Sequence, residues 1–132
     1  MKEPPFVAIY LRLVESINEL GIVTFSASQD VRKKMPICRV QLLSNNSTNQ
    51  FSNARQYAYS FQIDVLDSQN KLQRSLTNAY KIMQLCREIR INGYAVGHDE
   101  PVLTSMVDSS TNQILNRQII RINYNAIETT AF

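Results

Sequence analysis

The stretch Arg55 to Asp67, reading RQYAYSFQIDVLD, alternates with period two. Tyr57, Tyr59, Phe61, Ile63 and Val65 fall on one side of an extended chain, and Ala58, Ser60, Gln62 and Asp64 on the other. A strand with one aromatic, apolar face and one polar face reads as internal to an antiparallel sheet, with a second layer over its apolar side. The fold class that follows is a small α+β domain: a mostly antiparallel sheet of four to five strands with two helices packed on it, in the order α-β-β-β-α-β-β.

The covering layer is visible on both sides of this strand. From Phe6, the apolar residues Ile9, Tyr10, Leu13, Ile17 and Leu20 recur at spacings of three and four, which predicts a helix led in by Pro4-Pro5 and closed by Gly21. Ser68-Gln69-Asn70 then turns the chain out of the central strand. Asp67 or Ser68 caps a second helix over Lys71 to Arg90, with a stripe of Leu72, Leu76, Ala79, Met83 and Cys86, widened by Tyr80, Ile82 and Ile89 enough to lie flat on a sheet. The expected core is Leu13, Ile17, Val40, Tyr59, Phe61, Ile63, Leu76, Ala79, Met83, Ile120 and Ile122.

The remaining strands are shorter signals. Ile22 to Phe25 is a brief extended piece. After Pro36, Ile37 to Leu43 sets Cys38, Val40 and Leu42 against Arg39 and Gln41. Tyr94-Ala95-Val96 restarts extended structure after Gly93, Gly97 to Pro101 is a turn, and Val102 to Val107 is a short strand. Ile114 to Asn125 is the final long strand, with Ile120, Ile122 and Tyr124 on one face and Arg117, Ile119, Arg121 and Asn123 on the other.

Between two strands that should pair lies Ser44 to Asn53, SNNSTNQFSN, with almost no apolar content. Nothing in it offsets the entropy of ordering, so it reads as a long polar hairpin loop, or alternatively as a projecting β-arm. Asn49, Phe51 and the following Arg55 are its candidate contact residues. At 132 residues the chain is a single domain, with a mobile tail over 126–132.

Fourteen Lys and Arg against eleven Asp and Glu leave a formal charge of +3. A mild excess of this size permits weak contact with nucleic acid but does not argue for it, because the positives are scattered apart from Arg32-Lys33-Lys34. The default for that triplet is a solvated charge run, and the alternative is a phosphate or partner contact. Arg117 and Arg121 share a strand face and are either solvated or face acidic groups across a subunit boundary. Cys38 and Cys86 sit inside apolar patterns and read as two buried free thiols in a reducing compartment. The start of the chain has no signal-peptide core, and no apolar span is long enough for a membrane helix.

Chemical signatures are missing. With three glycines and one histidine there is no phosphate-cradling loop and no Cys/His cluster at ligand spacing. His98 beside Asp99 and Glu100 resembles a fragment of an acid–base or metal site, but a lone histidine in a turn is usually only that. The expectation is a protein with no enzymatic activity, no cofactor and no metal.

The segment Tyr57-Ala58-Tyr59-Ser60-Phe61-Gln62-Ile63-Asp64-Val65, followed by a helix and a late strand with Arg121-Ile122-Asn123-Tyr124, resembles the tail-terminator and tail-completion proteins of long-tailed bacteriophages. The resemblance runs from Phe6 to Tyr124. It implies a homo-oligomeric, hexameric ring at the neck between head and tail, capping the tail tube and stopping its polymerisation. It also implies the major tail protein and a head-completion or connector protein as partners, with genome DNA passing through unbound. The location would be the host cytoplasm during assembly, then the virion neck. On this reading Arg32, Lys33, Lys34, Asn49, Phe51, Arg55, Arg117 and Arg121 contribute subunit or partner contacts, and no catalytic residue is carried over. The short C-terminal tail departs from the pattern, leaving little for a separate connector-docking arm. Two other readings stay open: another neck, tail-tube or baseplate protein, and a small adaptor binding partners through its sheet edge.

Overall fold

A computed structural model describes residues 4–25, 35–51, 54–109 and 114–128. Two helices and six strands follow in the order α1 (Pro5–Glu19), β1 (Val23–Phe25), β2 (Ile37–Phe51), β3 (Ala54–Ser68), α2 (Leu72–Cys86), β4 (Tyr94–His98), β5 (Val102–Asp108) and β6 (Leu115–Glu128). One sheet holds all the strands, in the order β1-β2-β3-β6-β4, with β5 also paired to β6. Only the β1–β2 contact is parallel. The domain is therefore α+β, with a curled, mostly antiparallel sheet.

β3 is the internal strand its alternation predicts. It pairs with β2 on one side and β6 on the other, in a register that sets Val40 and Ile120 beside Ile63, and Leu42 and Ile122 beside Phe61. The face carrying Tyr59, Phe61, Ile63, Val65, Ile120, Ile122 and Tyr124 lies under the helices, where all seven are buried. Leu13, Ile17 and Ile9 come down onto it from α1, and Ala79, Ile82 and Cys86 from α2. Phe61 and Tyr124 meet edge to face with ring centroids 6.0 Å apart, and Phe6 tilts onto Tyr59 at the same distance.

α1 begins on Pro5 with Pro4 as its N-cap. Beyond its end Gly21 takes φ +87°, and Gly93 past α2 takes φ +84°, backbone conformations that a side chain resists. α2 is shorter than its apolar pattern suggests, ending at Cys86, although Ile89 beyond it is still buried.

Four expectations are corrected. Leu76 is not core. The buried stripe of α2 is Ser75, Ala79, Ile82 and Cys86, so Leu72 and Leu76 sit on its flank, 48% and 39% exposed, with Met83 half-buried between. Neither Asp67 nor Ser68 caps α2, whose N-cap is Lys71 without a side-chain bond. Asp67 is instead fully buried and accepts from the Arg74 guanidinium at 2.7 and 2.6 Å and from the Ser68 N–H at 2.8 Å. The stretch 44–51 is not a loop. β2 continues through it, pairing Asn45 with Tyr59 and Phe51 with Ala54, with irregularities after Leu42 and Ser47. Backbone pairing with β3 supplies the order that its side chains do not predict. Of the two sequence readings, extension of both strands fits this pairing, but Ser44–Ser47 do not project, since Tyr57–Ser60 opposite them also pair with β6. Likewise Ala126, Ile127 and Glu128, expected in a mobile tail, belong to β6 and pair with β3 or β4, and Ala126 is buried.

Candidate assembly surfaces

The two sides of the sheet differ, and so do its two edges. The side away from the helices carries Ser60, Gln62, Asp64 and Leu66 of β3, Arg39 and Gln41 of β2, and Arg117, Ile119, Arg121 and Asn123 of β6. A bare sheet face normally leaves such groups wet. Here Asp64 is 2% exposed and Gln62 8%. Side chains from β6 cover them. Arg117 reaches Asp64 at 3.3 Å and Asp108 of β5 at 3.5 Å, and the Arg121 Nε donates to the Gln62 Oε1 at 3.1 Å. The Gln62 amide in turn donates to Asp64 at 3.2 Å. Arg117 and Arg121, read from the sequence as either solvated or facing acidic groups across a subunit boundary, meet acid and amide groups of their own chain. A guanidinium already engaged this way offers less to a partner.

One edge of the sheet is β2, where β1 covers only Ile37, Cys38 and Arg39. From Val40 to Phe51 no other strand among the described residues pairs with the outer side of β2. Asn49 and Phe51 stand in this distal half, and Arg55 stands at the start of β3. Arg32, Lys33 and Lys34 lie outside the described residues.

The other edge is a single line of chain broken once. β4 pairs Tyr94–His98 with Glu128–Tyr124, and β5 pairs Val102–Asp108 with Arg121–Leu115, so both run along the same side of β6. The break falls at Asp99-Glu100-Pro101. Asp99 is pinned there by Asn123, whose N–H donates at 3.0 Å and whose amide donates at 2.6 Å to the two carboxylate oxygens. Arg87, just past α2, holds Glu100 at 3.0 Å. His98 ends β4 and contacts the Asp99 carbonyl through Nδ1 at 2.7 Å. Among the described residues no group of His, Cys, Asp and Glu is placed to hold a metal.

β5 is the surface that sequence reading missed. Val102, Leu103, Met106 and Val107 are all exposed, at 62, 37, 42 and 60%. An edge strand of this kind normally carries lysine, proline or a charge along its length to prevent further pairing; here Pro101 precedes β5 and Asp108 ends it, but the six residues between carry neither. The available signal was the pattern VLTSMV, apolar on both faces where a half-buried strand alternates. Beside it, the flank of α2 exposes Leu72, Leu76 and, at 62%, Tyr80.

Cys38 and Cys86 are buried free thiols. Burial pushes Cys86 up to about 12, partly offset by the Tyr124 hydroxyl and the nearby Arg87. Burial pushes Cys38 further still, aided by the negative charge of Asp64. Neither is a nucleophile at neutral pH.

No family model matches the chain, and no curated protein matches its sequence. Among the described residues no helix is long and apolar enough to cross a membrane.

Proposed function

We propose that this chain is a structural protein of the bacteriophage neck, a tail terminator that assembles as a homo-oligomeric ring, with six subunits, on the end of the tail tube. It ends tube growth and presents the surface on which the head joins. It acts without catalysis, cofactor or metal. Its partners are further copies of itself, the major tail protein and a head-completion or connector protein, with DNA passing through the centre. It works in the host cytoplasm during assembly and stays at the neck of the virion.

The observation that carries this reading is the pair of open, unlike sheet edges. A ring needs a heterologous contact, in which each subunit offers two different surfaces. The distal half of β2 is one such surface and the apolar β4–β5 line is the other. The resemblance of Tyr57 to Val65 and of Arg121 to Tyr124 adds the biological setting.

The test is electron microscopy of particles made with the gene deleted. Overlong or headless tails are the expected result. Tails of normal length, normally attached, would overturn terminator function and favour a baseplate or adaptor role exercised through the β5 edge.

A further inference from the structure

We infer that the β5 edge is the docking site for β2 of a second copy, so that subunits join by continuing one sheet. This rests on the ring reading above but adds which strands meet. The argument begins with strand direction. β2 runs antiparallel to β3, β3 to β6, and β6 to both β4 and β5. β2 and β5 are therefore antiparallel to one another. Translating a copy so that its β2 lies outside β5 continues the alternation without inverting either face. The same move keeps both helical layers on one side.

The side chains suit this occupant. Residues 40–51, the part of β2 beyond β1, contain no charged residue, while residues 94–108 contain Asp99, Glu100 and Asp108 and no lysine or arginine. The contact thus brings no like charges together along its length. On the helical side, the flank of α2 and β5 both leave apolar side chains exposed. Arg87 reaches over to Glu100 at the β4–β5 break, which shows which flank of α2 faces that edge. At about 100° per residue, Leu76 and Tyr80 lie within about 20° of Arg87 around the helix axis. They therefore look toward β5, whose Leu103 and Val107 point to the same side of the sheet as the buried Ile120 and Asn116 opposite them. A strand hydrogen-bonded outside β5 would place every second side chain between these residues and the α2 flank, as in other helix-and-edge grooves that accept a strand.

Cross-linking tests this. Thr104→Cys on β5 and Gln41→Cys on β2 are exposed positions on the helix-free face, and the two native thiols are buried. The two variants are mixed at roughly millimolar protein, where a contact with a millimolar Kd is about half occupied, and treated with a short bismaleimide. A Thr104–Gln41 heterodimer is the expected product, with neither variant linking to itself. Replacing Met106 and Val107 by lysine should abolish the product while leaving the melting temperature unchanged. Self-linking of Thr104→Cys would show a two-fold β5–β5 contact and overturn the inference, as would no product at all. A chain carrying both cysteines separates this from the ring reading. A ladder that stops at a closed species supports both, whereas an unbounded ladder keeps the edge pairing and counts against the ring.

Discussion

The phenol of Tyr124 donates a 2.6 Å hydrogen bond to the backbone carbonyl of Cys86. That carbonyl belongs to the last turn of α2, where no helical N–H remains to satisfy it. A side chain from the final strand thus closes the end of the second helix, deep in the core. Tyr124→Phe keeps the ring against Phe61 but leaves the carbonyl buried without its donor. The expected loss is about 1–2 kcal/mol, measured by urea denaturation at neutral pH. A variant as stable as the parent would show that water replaces the phenol.

Phe61 and Leu76 should part company on truncation. Phe61 is fully buried, and Phe61→Ala should cost about 3–5 kcal/mol. Leu76, on the exposed flank, should lose about 1 kcal/mol or less as Leu76→Ala. Thermal melts of the two variants side by side check this, and equal losses would put the α2 stripe back where its apolar spacing first suggests.

The Asp64 carboxylate is buried under Arg117. Arg117→Met removes its ion-pair partner and should destabilise by about 2–3 kcal/mol, because the acid stays buried with the Gln62 amide as its remaining side-chain hydrogen-bond donor among the described residues. Adding Asp64→Asn should recover much of that loss. A double-mutant cycle with no coupling would mean that the pair is held by the sheet around it and contributes nothing itself.

Alkaline pH should unfold the protein earlier than its surface charges would suggest. Burial raises the Cys86 thiol from an ordinary value near 9 to about 12, and raises Cys38 and the Tyr124 phenol as well. Above pH about 9 the unfolded chain releases thiol protons that the folded chain keeps. The folded state then binds more protons, and stability falls as pH rises, by up to about 1.4 kcal/mol per pH unit for each group. The stabilisation is intact below the unfolded pKa and lost by the time pH passes the folded one. Urea denaturation from pH 8 to 11 should show this decline, with a shallower slope in a Cys38→Ala, Cys86→Ala variant. An identical slope would assign the decline to the tyrosines.

Duplex DNA should not bind at physiological salt. Arg74, Arg87 and Arg117 are each paired with a carboxylate of the same chain, and on the proposed reading, in which a genome slides past, gripping phosphates would bring no advantage. Fluorescence anisotropy with a labelled duplex checks this. Sub-micromolar affinity would identify a nucleic-acid binder instead.

The parts of the fold legible in the sequence were those that rest on period. The alternation from Tyr59 to Val65 marks the face that lies under the helices, though not the burial of Gln62 and Asp64 opposite, and the one-sided spacing of Ile9, Leu13 and Ile17 marks the buried face of α1. The rotation of α2 was harder, because Leu72 and Leu76 compete with Ser75 and Ile82 for the buried side, and hydrophobicity favours the wrong pair. Ser75 wins its place by size, close against the sheet. The 44–51 strand was legible only as the β-arm alternative, because backbone pairing, unlike burial, leaves no trace in side-chain type. The surfaces were least legible. Arg117 lies 53 residues from Asp64, so only the β3–β6 register reveals the pair, and the openness of β5 depends on which strands lie beyond it.

The place of β6 in the sheet has a consequence for synthesis on the ribosome. β6 is paired along both sides, between β3 and the β4–β5 line, yet it is the last of the described elements to be made. Until Glu128 has left the exit tunnel, β3 lacks one neighbour, β4 and β5 lack their only one, and Tyr59, Phe61 and Ile63 have an open flank. The nascent chain must therefore wait, with its helices and its β2–β3 hairpin outside the ribosome but its sheet incomplete. A chain stopped short of Leu115 would be a substrate for chaperones and proteases and not a shortened version of the same domain.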